Sequence, residues 1–141
     1  FLLSFANVKV ISIRIRGYHC DAYGHVNNAR YLELLEEARW KFLEPAIQDR
    51  FFESEHLLFV VVNINIAFKR PLLPNQLIHI HISDLEFKNR SISMVQEIKD
   101  DKSEELYSRA EIQFVLLNAE NHKPVAISDE IISKFNELIN P

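Results

Sequence analysis

Within eleven residues, Tyr18-His19-Cys20-Asp21-Ala22-Tyr23-Gly24-His25-Val26-Asn27-Asn28 gathers a carboxylate, two imidazoles, two amides and tyrosine hydroxyls. Directly after it begins a pattern of helical period. The first N–H groups of a helix have no internal partners, and its dipole is positive there. A carboxylate beside such an end suits acyl chemistry. The N–H groups stabilise a developing oxyanion, and the carboxylate attacks a carbonyl or deprotonates a water. Asp, Asn and Gly are also ordinary turn and capping residues, so composition alone favours a plain loop.

The elements that must position this loop are legible on both sides. Ile11, Ile13 and Ile15 alternate with Ser12, Arg14 and Arg16, which predicts a half-buried strand over 8–16. On the far side, Tyr31, Leu32, Leu35, Ala38, Phe42 and Leu43 recur with a period near 3.6 and predict one long helix. Asn27 or Asn28 is its natural N-cap. Pro45 should end its regular part, with a last turn reaching Ile47 at most. Trp40 and Phe42 read as helix packing.

From there on the period is two. Val62, Ile64, Ile66 and Phe68 alternate with Asn63, Asn65 and Ala67; Ile78, Ile80 and Ile82 alternate with His79, His81 and Ser83. Two further strands run through Ile92, Met94 and Ile98, then Ala110, Ile112, Phe114 and Leu116. Short connections predict antiparallel pairing between successive strands. Ser128-Asp129-Glu130 then opens a short amphipathic C-terminal helix. The helix stripe needs an apolar face, and the sheet offers the only large one. The fold class is α+β: one long helix wrapped by a curved antiparallel sheet of about five strands.

Composition narrows the function classes. The 141 residues make one domain, 1–141, that is 48% hydrophobic and 26% charged, a globular balance. A net charge of −4 with no basic run argues against nucleic acid as partner. Cys20 is the single cysteine, so no intramolecular disulfide forms, and a cytoplasmic location is the simplest expectation. No apolar stretch is long enough to span a bilayer. Phe1–Ala6 carry no basic leader, and the absence of an initial Met suggests a trimmed end. His79 and His81 face one way on a strand, but no third ligand accompanies them, so no metal is expected.

The stretch Gly17–Trp40 also carries a motif: Asp21, three residues, His25-Val26-Asn27-Asn28, two residues, Tyr31-Leu32, then Glu36-Glu37-Ala38-Arg39. It resembles the signature of the 4-hydroxybenzoyl-CoA thioesterase-like hotdog family. The likeness continues through Val60–Ile66 and Arg70-Pro71, and is greatest to the bacterial long-chain acyl-CoA thioesterase III subgroup. The resemblance implies a hotdog fold and an acyl-CoA thioesterase that releases a free acid, long-chain by preference. A non-catalytic acyl-CoA-binding module and a thioesterase for acyl-carrier protein are the alternatives.

The motif also implies roles. Asp21 falls on the catalytic aspartate, the Asn28 backbone N–H on the donor that polarises the carbonyl, and His25 is grouped with them. Tyr23, Asn27 and Tyr31 are expected around the substrate. Lys69, Arg70 and, near the next hairpin, Lys88 and Arg90 are expected near the coenzyme A phosphates. No cofactor is implied, since coenzyme A is part of the substrate. A homodimer or homotetramer with shared sites is expected, with Asn63 and Asn65 near the interface. Gly24 is common in the wider family, whereas the long-chain subgroup can carry a larger residue there.

Overall fold

The computed structural model describes the backbone of Leu3–Phe5 and residues 7–141. The reading of residues 1, 2 and 6 as free of a leader therefore lies outside the described residues. Two short strands, β1 (Leu3–Phe5) and β2 (Lys9–Arg14), precede a 3₁₀ turn at Gly17–His19 and the long helix α1 (Asn28–Gln48). A short α2 (Phe51–Ser54), four strands and α3 (Asp129–Ile139) follow. The strands are β3 (Leu57–Phe68), β4 (Leu77–Phe87), β5 (Ile92–Asp100) and β6 (Leu106–Asn118).

All pairings are antiparallel. β1 and β2 pair with successive stretches of β4 and act as one interrupted edge strand. The sheet thus has five positions, in the order β1/β2, β4, β5, β6, β3. The curved sheet around one helix matches the expectation. Its connectivity departs from a simple meander: β3 pairs with β6, not with its sequence neighbour β4. α1 crosses the inner face between β2 and β3, and so delivers β3 to the opposite edge. The segment 69–76 then returns the chain to β4.

The core lies between α1 and the inward residues of the central strands. Tyr31, Leu35, Ala38, Phe42 and Leu43 are buried against Ile78, Ile80, Ile82, Met94, Ile112 and Phe114. Phe135 of α3 closes one end, its ring 5.8 to 6.3 Å from those of Phe42, Phe52, Phe87 and Phe114. Two assignments on this helix are corrected. Leu32, read as part of the stripe, and Trp40, read as packing, are exposed, while Leu34 and Arg39 are buried; the other five stripe residues face the core as read. α1 also passes Pro45 without stopping. A proline forfeits one backbone bond, and the fully buried Ala46 beside it holds the last turn in place.

A β-bulge breaks the register of β3 between Val61 and Asn63. The extra residue shifts the alternation by one, so Val61 packs inward and Val62 is 54% exposed instead of facing the core. Among the described residues no helix is long and apolar enough to cross a membrane.

Candidate active site

The loop ahead of α1 folds as a tight hairpin closed by a bridge between Cys20 and Val26. The Asp21 N–H donates to the His25 carbonyl at 2.9 Å, and the Gly24 N–H donates to the Asp21 carbonyl at 3.1 Å. Gly24 turns the chain with φ of 76°, a left-handed conformation that disfavours a side chain. Open space surrounds its Cα, so backbone conformation, not crowding, selects glycine. One Asp21 carboxylate oxygen accepts the Tyr23 N–H at 2.8 Å. That contact orients the carboxylate and leaves its other oxygen without a hydrogen-bond partner among the described residues.

Asn27 caps the helix. Its backbone is extended (φ −63°, ψ 143°), and its side-chain oxygen accepts the Ala29 N–H at 2.9 Å, as an N-cap should. Asn28 is the first helical residue. Its N–H has no hydrogen-bond partner among the described residues, so it remains a free donor at the positive end of a 21-residue helix.

The loop is tied to the opposite wall of the site through Leu72. The Val26 N–H donates to the Leu72 carbonyl at 3.0 Å. The Leu72 N–H donates to the Tyr31 hydroxyl at 3.0 Å, and that hydroxyl donates to the Arg70 carbonyl at 2.9 Å. Tyr31 is 2% exposed, and burial pushes its phenol pKa upward. Its ring meets Phe68 edge-on at 5.1 Å. The Lys69 and Arg70 N–H groups both donate to the Tyr107 carbonyl, which fixes the backbone beneath two exposed cations.

Between these walls lies a cavity of about 490 Å³, a size that suits a small-molecule site. Asp21, His25, Asn27 and Asn28 form one side; Phe68, Lys69, Arg70 and Pro71 form the other, with Tyr31 between. The Arg70 guanidinium also reaches Glu105 at 3.4 Å. The two cations of one wall, Lys69 and Arg70, thus stand across the cavity from the Asp21 carboxylate.

The predicted residues are not all gathered here. Tyr23 is 87% exposed and does not line the cavity; it contributes its N–H to Asp21. Tyr31 lines it, with its hydroxyl already committed to backbone. Lys88 and Arg90 sit in the β4–β5 connection, at the end of the sheet opposite Leu77 and Asp100, away from this cavity in the same chain. His79 pairs with Asp101 at 2.8 Å. His81 keeps a buried, unpartnered Nε2, and burial followed by nearby Lys99 lowers its pKa. No group of three or more metal-ligating side chains occurs among the described residues. Sequence reasoning missed Phe68 as a wall and Leu72 as the tie. Only the pairing of β3 with β6, and the return loop behind it, brings them to the helix start.

Comparison with known proteins bears on the family and the fold. A family model described as the thioesterase-like superfamily matches residues 15–135. The chain is similar to the long-chain acyl-CoA thioesterase FadM of Escherichia coli K12, with 37% identity over 127 residues, 90% of this chain and 96% of that protein. It is 28% identical over 131 residues to the acyl-CoA thioesterase YbgC of Haemophilus influenzae, covering 90% and 95%. The crystal structure of YbaW, a probable thioesterase from Escherichia coli, superposes with a TM-score of 0.84 at 37% identity, covering 92% and 98%. By sequence and by fold, the chain belongs to the thioesterase-like superfamily.

Proposed function

We propose that this protein hydrolyses acyl-CoA thioesters, long-chain fatty acyl-CoA foremost, to a free acid and coenzyme A. One observation carries the reading: the Asp21 carboxylate and the unpaired Asn28 N–H face a single cavity at the start of α1. The FadM similarity supports the substrate class. The thioester oxygen would accept from the Asn28 N–H, whose pull grows as the oxygen gains charge. Asp21 would then act in one of two ways. As nucleophile, it attacks the carbonyl carbon and expels the coenzyme A thiolate; water then cleaves the resulting anhydride. As base, it takes a proton from the water that attacks. His25 and Asn27 shape the loop, and Lys69 and Arg70 supply phosphate contacts at the rim. The reaction so drawn calls for no cofactor.

The protein would act in the cytoplasm as a homodimer or homotetramer. β3 is an edge strand with one free side, and exposed edges call for cover. A second copy there would also enclose a cavity that one chain leaves open.

The deciding experiment pairs Asp21→Asn with a panel of acyl-CoAs of graded length, reading coenzyme A release. Turnover should fall by about 10² to 10⁴ while acyl-CoA binding persists. Unchanged hydrolysis would remove Asp21 from the mechanism, and no hydrolysis of any acyl-CoA by the natural protein would favour a binding module. One turnover in heavy-oxygen water separates the routes: label in Asp21 marks the covalent one.

A further inference from the structure

A second cavity, of about 330 Å³, lies in the groove between α1 and β3. The same two elements wall the candidate active site, through Asn28 and Tyr31 on α1 and Phe68 on β3. Further along, Trp40 and Leu43 of α1 face Phe59, Val61 and Ile64 of β3 across it. This wall is apolar apart from two charged side chains of α1, the exposed Glu36 at its rim and the buried Arg39.

Arg39 is 5% exposed. Its Nη1 donates to the Gln96 side-chain oxygen at 2.9 Å, and Gln96, itself fully buried, donates to the Leu35 carbonyl at 3.0 Å. Gln96 is thereby fixed as a neutral acceptor. A guanidinium has five N–H donors, and no carboxylate pairs with this one among the described residues. Glu36, on the preceding turn, contributes only its field and is exposed. A buried cation without a paired anion is costly, and an apolar chain lying against it would leave its donors unmatched.

We propose that Arg39 reads the far end of the acyl chain, and that the groove favours acyl-CoAs whose chain bears an oxygen acceptor there, as a hydroxyl or a carboxylate. This inference rests on the thioesterase reading of the first cavity. Arg39 lies eleven residues beyond Asn28 on α1, about 16 Å at ~1.5 Å per residue. That is the reach of about a dozen carbon–carbon bonds of ~1.5 Å, shortened by their zigzag. A terminal oxygen on such a chain meets the guanidinium, whereas a terminal methyl does not.

The test compares dodecanoyl-CoA with 12-hydroxydodecanoyl-CoA and the mono-CoA thioester of dodecanedioic acid. Both oxygenated substrates should show kcat/KM at least about tenfold above the parent, since a site built to hydrogen-bond rejects the analogue that lacks the partner. The ratio between the two separates a neutral from an anionic preference. Arg39→Met should bring both advantages to near one, and Arg39→Lys should keep part of them. A natural protein that turns over the parent equally well or better overturns the proposal, as does an unchanged ratio in Arg39→Met. Should Arg39→Met fail to fold, the natural protein and Arg39→Lys decide.

Binding is read separately. Trp40 is the only tryptophan and lines this cavity, so its emission reports occupancy without turnover. The free hydroxy acid and diacid should shift it at lower concentration than dodecanoate. Emission indifferent to all three, but changing with protein concentration, would mean that a second copy covers the groove, and would overturn the proposal. Absence of hydrolysis on every acyl-CoA, dodecanoyl-CoA included, would sink the thioesterase reading instead, and the Trp40 titration would still decide this site.

Discussion

The phenol oxygen of Tyr31 stands between two walls of the site, accepting the Leu72 N–H at 3.0 Å and donating to the Arg70 carbonyl at 2.9 Å. One side chain on the first turn of α1 thus fixes the backbone under Arg70 and Pro71. Tyr31→Phe leaves a buried N–H and a carbonyl without that partner, which costs about 1–3 kcal/mol. The midpoint of thermal unfolding should fall. KM for acyl-CoA should rise more than kcat falls, because Arg70 is released while Asp21 and Asn28 stay in place. A kcat loss with KM unchanged would show that the hydroxyl acts on the reaction and not on the wall.

Asn28 offers a direct test of a backbone donor. Asn28→Ala keeps the N–H and should change kcat little. Asn28→Pro removes the N–H as well as the side-chain amide, so its difference from Asn28→Ala isolates the N–H. Proline is well tolerated at the first helical position, and Asn27 already has the extended backbone that a following proline requires (ψ 143°). The variant should fold and lose about 10²–10³ in kcat, the usual effect of deleting an oxyanion donor. Folded Asn28→Pro with full activity would take this N–H out of the mechanism.

Asp100 predicts a pH dependence of stability near the same end of the sheet. Its carboxylate accepts N–H groups from Ser103 and Lys102 and the side-chain amide of Gln76. These bonds, the Ser103 N–H first, lower its pKa to about 2. A carboxyl whose pKa is depressed in the folded state stabilises above its unfolded pKa and loses that contribution as pH falls through the folded value. Asp100→Asn should therefore lower the melting temperature at neutral pH, and the gap should close as pH drops from about 4 to about 2. A gap constant over that range would refute the assignment.

The free edge of β3 predicts assembly. Val62 is exposed at the bulge, so Val62→Lys should leave a single chain within about 0.5 kcal/mol of its stability. A lysine on an edge strand opposes pairing with another chain. Sedimentation should show a dimer or larger for the natural protein and a shift toward monomer for the variant, with activity falling in parallel. A natural protein that sediments as a fully active monomer would contradict the shared site.

The sequence by itself determined the two longer helices, the five longer strands and the place of the candidate site. Period 3.6 over α1 and period 2 thereafter follow from which side chains must leave water, and each element reports that locally. The loop from Asp21 to Asn28 was legible for the same reason: its hairpin, its glycine at positive φ and its N-cap are all contacts within a few residues. Tertiary structure decided what depends on distant residues. The landing of β3 beside β6, the bulge that turns Val62 outward, and the pairing of Arg39 with Gln96 reflect packing between segments 30 or more residues apart, which no local period encodes. The same holds for the site. Asp21 and Asn28 were legible as neighbours of a helix start, but Leu72 and Phe68 close the cavity only because the sheet places its far edge beside that helix.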